Sequence, residues 1–246
     1  GTDDLGPLLT QHPGVNKVSF TGSTTTGKRV MQSCAANLTR VTLELGGNDP
    51  AIVLADVDPV KVAASLFGSA FGNSGQVCRA VKRVYAHSSI YEALCEALAD
   101  KARRAVVGDG SQTPVDFGPV HNKGQFERIK GLLQEAQSEG VVLTGEALLE
   151  GPGYFVRPTV VKDLPLHSRL VLEEQFGPIL PVLSFEDLDE AIDQANATPY
   201  GLAASVWSRD LKKAYFVADR LEAGTVWINK HIDRTPHLPI AGAKHS

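Results

Sequence analysis

The sequence predicts an α/β fold, with a mostly parallel, twisted sheet and flanking helices. Three observations carry that expectation. Short apolar runs of strand length alternate with longer stretches in which apolar residues recur at helical spacing, the β-α-β rhythm of a parallel sheet. No internal repeat, low-complexity tract or long linker interrupts the rhythm. With 43% hydrophobic residues over 246 positions, the chain has ample material for a core, in one large or two modest domains.

In chain order, Asp3 to His12 reads as a short helix and Lys17 to Thr21 as a strand. Gly22 then turns the chain into a helix from Ser23 to Ala36. Val41 to Leu45 and Ala51 to Leu54 are short apolar strands. Asp58-Pro59 opens the next helix, a capping carboxylate followed by the residue best suited to the first helical position, and the apolar period lasts to Phe71. A strand at Arg83 to Ala86 precedes helices at Ile90 to Val106 and Gln125 to Ser138, then a strand at Val141 to Leu143. Gly151 to Gly153 is a turn. The remaining strands are Thr159 to Val161, Ile179 to Leu183, Ala203 to Trp207 and Thr225 to Ile228, with helices at Leu188 to Ala197 and Leu211 to Leu221. The turn chemistry of Leu45-Gly46-Gly47 marks a candidate hinge between two parts.

Composition removes several function classes. The 24 Lys+Arg against 28 Asp+Glu give a net charge of -4, and no basic run is interleaved with aromatics, so neither nucleic acid nor an anionic membrane surface is expected as a partner. No apolar run approaches the length of a membrane span, and the opening GTDDLGP lacks the basic and apolar regions of a signal peptide; a cytoplasmic location is expected. Cys34, Cys78 and Cys95 are odd in number and spaced like neither CxxC nor a zinc site, which fits free thiols in a reducing compartment. The seven histidines show no metal-ligand spacing and there is no GxSxG elbow. The chain does not begin with Met and stops just after an apolar segment, and is expected to be a fragment.

Four short stretches have the residue types of a reactive site. Phe20 to Arg29 (FTGSTTTGKR) follows a strand and opens a helix, where free backbone N–H groups suit an anion or where Ser23 or Thr24 simply caps the helix. Gly22 to Lys28 has the GxxxxGK spacing of a P-loop, but Arg29 stands where that motif needs Ser or Thr. Glu44 lies between two leucines near a strand end, suited to general-base work if buried and to nothing in particular if exposed. Cys78, in GNSGQVCRA, is a nucleophile or a buried thiol; the small residues around it would let a substrate approach closely, whereas Cys34 and Cys95 sit among Ala and Leu as core thiols. In Glu173-Glu174-Gln175-Phe176-Gly177-Pro178, neighbouring carboxylates do not face each other as an acid pair, and Glu174 beside Phe176 suits a ribose hydroxyl and a planar ring or a solvated loop.

Taken singly these are weak signals. In the order FTGST, LELGG, GQxC, EEQFGP and AGTVWIN, with 34 positions from Glu44 to Cys78, the set resembles the aldehyde dehydrogenase superfamily over almost the whole chain. The resemblance implies the catalytic-domain fold of that family, NAD or NADP as cofactor, a small-molecule aldehyde as substrate and a homo-oligomer. It implies Cys78 as the nucleophile that forms a thiohemiacetal and then a thioester, and Glu44 as the base that activates water for its hydrolysis. It places Gly22 and Ser23 at the cofactor pyrophosphate, Glu174 on the nicotinamide ribose, Phe176 beside the nicotinamide, Leu45 and Gly46 in the same pocket, and Asn229 as a structural neighbour.

By the same resemblance, residues 1–43 are a C-terminal remnant of the dinucleotide-binding domain. Residues 44–246 are then the catalytic domain, lacking the family's oligomerisation tail and the asparagine that supplies a second oxyanion donor. A chain of this extent is expected to be weakly active or inactive by itself. Three positions depart from the pattern: Asn48 stands where Lys is common, Thr25 where Glu is common, and Pro239-Ile240-Ala241-Gly242 where PFGG is usual. Val77, Arg79, Arg234 and Ile240 are candidate substrate contacts. Three other readings stand beside this one: a coenzyme-A-acylating semialdehyde dehydrogenase, against which Glu44 argues; a P-loop nucleotide hydrolase, against which Arg29 argues; and a non-catalytic fragment that survives as a fold or an assembly surface.

Overall fold

A computed structural model of the chain describes residues 5–111, 114–149, 151–233 and 237–246. Two strands near the start, β1 (Lys17–Thr21) and β2 (Arg40–Glu44), pair in parallel as a sheet of their own, flanked by α1 (Leu5–Thr10) and α2 (Thr24–Ala35). After Glu44 the chain leaves that sheet. It continues as β3 (Asp49–Val53), α3 (Pro59–Phe71), β4 (Val81–His87), α4 (Ser88–Arg104), α5 (Lys123–Glu139), β5 (Val141–Val142) and β6 (Thr159–Lys162). Then come α6 (Arg169–Leu172), β7 (Ile179–Phe185), α7 (Leu188–Asn196), β8 (Tyr200–Gly201), β9 (Ala203–Trp207), α8 (Leu211–Ala218), β10 (Thr225–Ile228) and β11 (Ala243–Lys244).

Seven of the strands form the main sheet, in the order β10-β9-β3-β4-β7-β6-β5, with every pair parallel except the β5–β6 edge. The central strands are apolar on both faces, as a sheet covered by helices on both sides requires. On β3, Ala51 and Val53 pack with α3 and α4, including Leu66, Phe71, Leu94 and Leu98. Ile52, pointing the other way, packs with residues of α5, α7 and α8, including Ile129, Ile192 and Val217. Tyr85 on β4, and Ile179 and Leu183 on β7, join that second cluster, while Val84, Leu180 and Val182 join the first, so the strand period of two separates the two cores.

Helix starts follow the capping residues. Asp58 accepts from Val60 N and Lys61 N at the head of α3, with Pro59 at the first position. Asn122, Asp187 and Asp210 cap α5, α7 and α8 in the same way.

The expected elements are present with shifted ends. Of the helix expected from Asp3, Leu5–Thr10 is helical, and Asp3 and Asp4 lie outside the described residues. The last helix stops at Ala218 rather than Leu221, and Leu45 lies beyond the end of β2. Three elements had no sequence signal. The helix α6 is four residues long, and β8 and β11 are two residues each and exist only because Ala243 meets Gly201 and Lys244 meets Tyr200. Among the described residues no helix is long and apolar enough to cross a membrane.

Arg83 ties the centre of the sheet to α7. It is buried at 1% exposure, and its guanidinium donates to Asn48 O, Tyr85 Oη, Gln194 O and Ala195 O. Burial lowers its affinity for its proton, and the four acceptors are what make a buried charge tolerable there. Arg83→Met removes the charged donor from all four acceptors, of which Gln194 O keeps Ala197 N and Tyr85 Oη; urea denaturation is expected to show a loss of about 3 kcal/mol. Arg103→Met, at an exposed ion pair with Glu96 and Asp100, should leave the midpoint nearly where it was.

Candidate active site

The carboxyl ends of β1 and β2, paired at Thr21 and Glu44, open onto a cavity of about 530 Å³. Thr21, Gly22, Ser23, Thr24, Thr25, Leu45, Gly46, Cys78, Gln125, Arg128, Glu174, Phe176 and Tyr200 line it. Seven of the eight residues singled out in the sequence therefore meet in one place, although they come from stretches more than 150 positions apart. The eighth, Glu44, lies one residue before Leu45, half-buried at the end of β2 and outside the lining; among the described residues its carboxylate makes no hydrogen bond or ion pair.

Each lining segment is held for an identifiable reason. Ser23 is the cap of α2: its backbone is extended and its Oγ accepts from Thr26 N at 3.2 Å, so the first turn of the helix faces the cavity with unused N–H groups. Gly22 N donates to Glu44 O at 3.1 Å, which joins the helix start to the end of β2.

Cys78 is delivered by a sharp reversal at the end of α3. Asn73, Ser74 and Gly75 all have positive φ, at 53°, 55° and 70°. A Cβ at Gly75 would lie 2.3 Å from Gly177 O, so only glycine fits. Ser74 Oγ donates to Gly118 O at 2.8 Å, and Gln76 Nε2 donates to Pro119 O at 3.2 Å while its Oε1 accepts from His121 N at 2.8 Å. Beyond this anchored turn, Cys78 is half-buried. Cys34 and Cys95 are buried at 1% exposure, and burial pushes the Cys95 thiol up to about 12, so both are core thiols.

The loop that holds Glu174 and Phe176 is fixed from beneath. Buried Gln175 donates through Nε2 to Lys82 O at 3.0 Å and Ile179 O at 2.7 Å. From α5, Gln125 Nε2 donates to Gln175 O and Phe176 O, and Arg128 donates to Gln175 O. The two adjacent carboxylates diverge: Glu173 turns out to Arg128 and Arg169, while Glu174 turns in and accepts from Gly47 N at 3.1 Å. A Cβ on Gly46 would stand 2.2 Å from Glu174 Oε2, so that carboxylate reaches the cavity only because residue 46 is glycine. Burial raises the affinity of Glu174 for a proton against the pull of Lys82 and the Gly47 N–H.

Sequence reasoning missed Gln125, Arg128 and Tyr200 in the lining, and Lys82 and Asp49 behind it. The first two lie three apart on one face of α5, but nothing in the sequence says where that face points. Lys82 Nζ bonds back to the carbonyls of Val77 and Cys78. Arg79 turns away into a second cavity, of about 320 Å³, lined also by Trp227, Asp233 and Ile240. Val77 is not in that lining, and Arg234 lies outside the described residues. Asn229 exchanges hydrogen bonds with Ser208 through both ends of its amide and is not in the lining of the Cys78 cavity. Among the described residues no group of His, Cys, Asp and Glu forms a metal site.

Asp49 is buried at 1% exposure, accepts from Ala203 N at 3.2 Å, and has its second oxygen without a partner among the described residues. Burial pushes its carboxyl from the ordinary 3.8 up to about 8, against Lys82 and the Ala203 N–H, which pull it down. The native state thus holds this proton over a window in which the unfolded chain has released it. The contribution of Asp49 to stability is present in full below about pH 4 and is lost as pH rises to about 8. Asp49→Asn is expected to flatten that part of the stability–pH curve, read as denaturation midpoints between pH 5 and pH 9.

The comparisons with known proteins agree with this geometry. The family model described as "aldehyde dehydrogenase family" matches residues 1–246. The chain is 40% identical over 249 residues to the aldehyde dehydrogenase LUC3 of a Fusarium species, covering 100% of this chain and 53% of that protein. It is 41% identical over 247 residues to a phenylacetaldehyde dehydrogenase of Pseudomonas fluorescens, covering 99% and 49%. Among solved structures, the γ-glutamyl-γ-aminobutyraldehyde dehydrogenase of Burkholderia cenocepacia superposes with a TM-score of 0.95 at 40% identity, over 100% of this chain and 51% of that one. A betaine aldehyde dehydrogenase of Staphylococcus aureus in complex with NAD+ superposes at 0.92 and 34%, over 98% and 49%. The chain spans about half the length of the relatives it matches. On the match over all 246 residues, the chain belongs to the aldehyde dehydrogenase family.

Proposed function

We propose that this chain carries the catalytic part of an NAD(P)-dependent oxidation of an aldehyde to a carboxylic acid. The observation that carries the reading is the convergence of Cys78, the α2 start at Gly22 and Ser23, and Glu174 with Phe176 on one cavity. These residues fit a dinucleotide: N–H groups at a helix start for phosphate, a carboxylate for ribose hydroxyls, and an aromatic ring for the nicotinamide side. Oxidised nicotinamide bound there supplies the acceptor for the two electrons and the hydrogen that leave the substrate carbon.

The chain's own residues do the rest. The Cys78 thiolate adds to the aldehyde carbon; an S–C bond forms and the carbonyl π pair moves to oxygen. The Cys78 N–H is the donor for that oxyanion. After oxidation the carbon is held as a thioester. Glu44 takes a proton from water as the water attacks the thioester carbon; the C–S bond breaks, and the carboxylic acid and the Cys78 thiolate are released. Glu44 stands next to Leu45 at the cavity edge and has no partner among the described residues to break, so turning its carboxylate inward costs it no ion pair. A base of this kind favours water over coenzyme A as the acceptor of the acyl group.

In this reading residues 1–43 belong to the cofactor domain and residues 44–246 to the catalytic domain; the separate β1–β2 sheet supports the division. Turnover by these 246 residues alone is expected to be slow, since they span about half the length of the relatives they match.

Slow turnover does not prevent the test. After incubation with an aldehyde and NAD+ or NADP+, an acid quench and peptide mass spectrometry should find the acyl adduct on Cys78 and not on Cys34 or Cys95. Glu44→Gln should raise its occupancy and Cys78→Ala abolish it. An adduct on no cysteine, or equally on all three, would sink the reading. We also propose that the chain self-associates, since Leu5, Leu8, Leu9, Met31 and Leu38, all within its first forty residues, are each exposed. Light scattering should give a mass above 26.3 kDa, and a monodisperse monomer at high concentration would overturn this.

A further inference from the structure

Behind the cavity lies a lysine to which the reaction outlined above gives no part. Lys82 is buried at 1% exposure on β4, beside a register shift between β3 and β4, where Asp49 pairs with Val81 and Pro50 with Arg83. Its ammonium has three N–H donors. Val77 O lies 2.6 Å from Nζ, Cys78 O 3.3 Å, and Glu174 Oε1 4.0 Å, at the edge of ion-pair range. The Phe176 ring centroid is 5.7 Å away. A cation without water is stable here only because these acceptors converge on it.

We propose that Lys82 is a positioning residue for the reaction: its charge-assisted bond to Val77 O polarises the Val77–Cys78 peptide and makes the Cys78 N–H a stronger oxyanion donor, while its other contacts hold the Cys78 loop and Glu174 in register. The physical link is the peptide group itself. The carbonyl that receives the ammonium and the N–H that faces the oxyanion belong to one conjugated unit, and a charged donor at one end strengthens donation at the other. Val77 O also accepts from Ala80 N at 3.1 Å, so this carbonyl takes two donors and the turn around Cys78 is closed from both sides. The inference rests on the assignment of Cys78 as nucleophile and of its N–H as oxyanion donor.

The step from Val77 to Cys78 is the one Val-Cys pair in the sequence, so labelling valine carbonyls with carbon-13 and cysteine nitrogens with nitrogen-15 isolates that single peptide in an NMR correlation spectrum. Lys82→Met should move the Cys78 amide proton upfield by more than its linewidth, with Cys34 and Cys95, read in the plain proton–nitrogen spectrum of the same sample, unmoved. In a form of the enzyme that turns over, the same change should lower kcat about tenfold with little effect on the aldehyde KM. That is less than the hundredfold or more expected when a whole oxyanion donor is removed. If Lys82→Met fails to fold beside the buried Asp49 carboxyl, Asp49→Asn with Lys82→Met removes both titratable groups and the same peak is read. An unmoved Cys78 peak in a folded variant overturns the inference whatever the kinetics show. A moved peak in a protein whose Cys78 never acquires an acyl group upholds the polarised peptide and overturns the reaction instead.

Discussion

Removing an amide side chain from water leaves its donors to find acceptors inside the protein, and Gln175 does this in a way that sets the geometry around it. Its Nε2 reaches Lys82 O on β4 and Ile179 O at the head of β7, two points on strands that carry the core. The loop of Glu173 to Gly177 has no regular structure of its own, so this one side chain gives it a fixed height above the sheet. Glu174 and Phe176, on either side of Gln175, take their directions from that anchor. Gln125 and Arg128 of α5 close over the backbone from above. The cavity wall is therefore an extension of the sheet rather than a free loop.

Charge is distributed to match. Asp49, Lys82, Arg83 and Glu174 lie within a few residues of two neighbouring strands and the anchored loop, and all are largely withdrawn from water. Burial works against each of them, raising the carboxyls and lowering the bases. Arg83 solves the problem with four oxygen acceptors and Lys82 with two carbonyls and a carboxylate. Asp49, with one donor from Ala203 and its second oxygen unpartnered among the described residues, is the least well satisfied, and burial pushes its carboxyl up to about 8.

Much of the fold was legible because strand and helix periods are local properties. The apolar runs at Ala51, Ile179 and Ala203, and the caps at Asp58 and Ser23, behave as their chemistry dictates. The elements without a signal, α6, β8 and β11, are too short to show a period and owe their existence to partners distant in sequence. At the site, Cys78, Glu174, Phe176 and the α2 start, which the order of motifs brings together, line one cavity. Gln125, Arg128 and Tyr200 were invisible because a residue's direction on a helix or after a turn is a tertiary fact. Lys82 lies only four positions after Cys78, but that it folds back under Cys78 depends on β4 starting where it does.

The strand order has a consequence in time. β3 lies between β4 and β9, and Asp49 at its head is bonded to Ala203, which is 154 positions further along. Closing so long a loop is entropically costly and belongs to the slow part of folding. During synthesis the middle of the sheet remains open on one side until β9 has left the ribosome. The Cys78 loop, built on that same sheet, matures late, and a half-made chain does not yet present an assembled pocket.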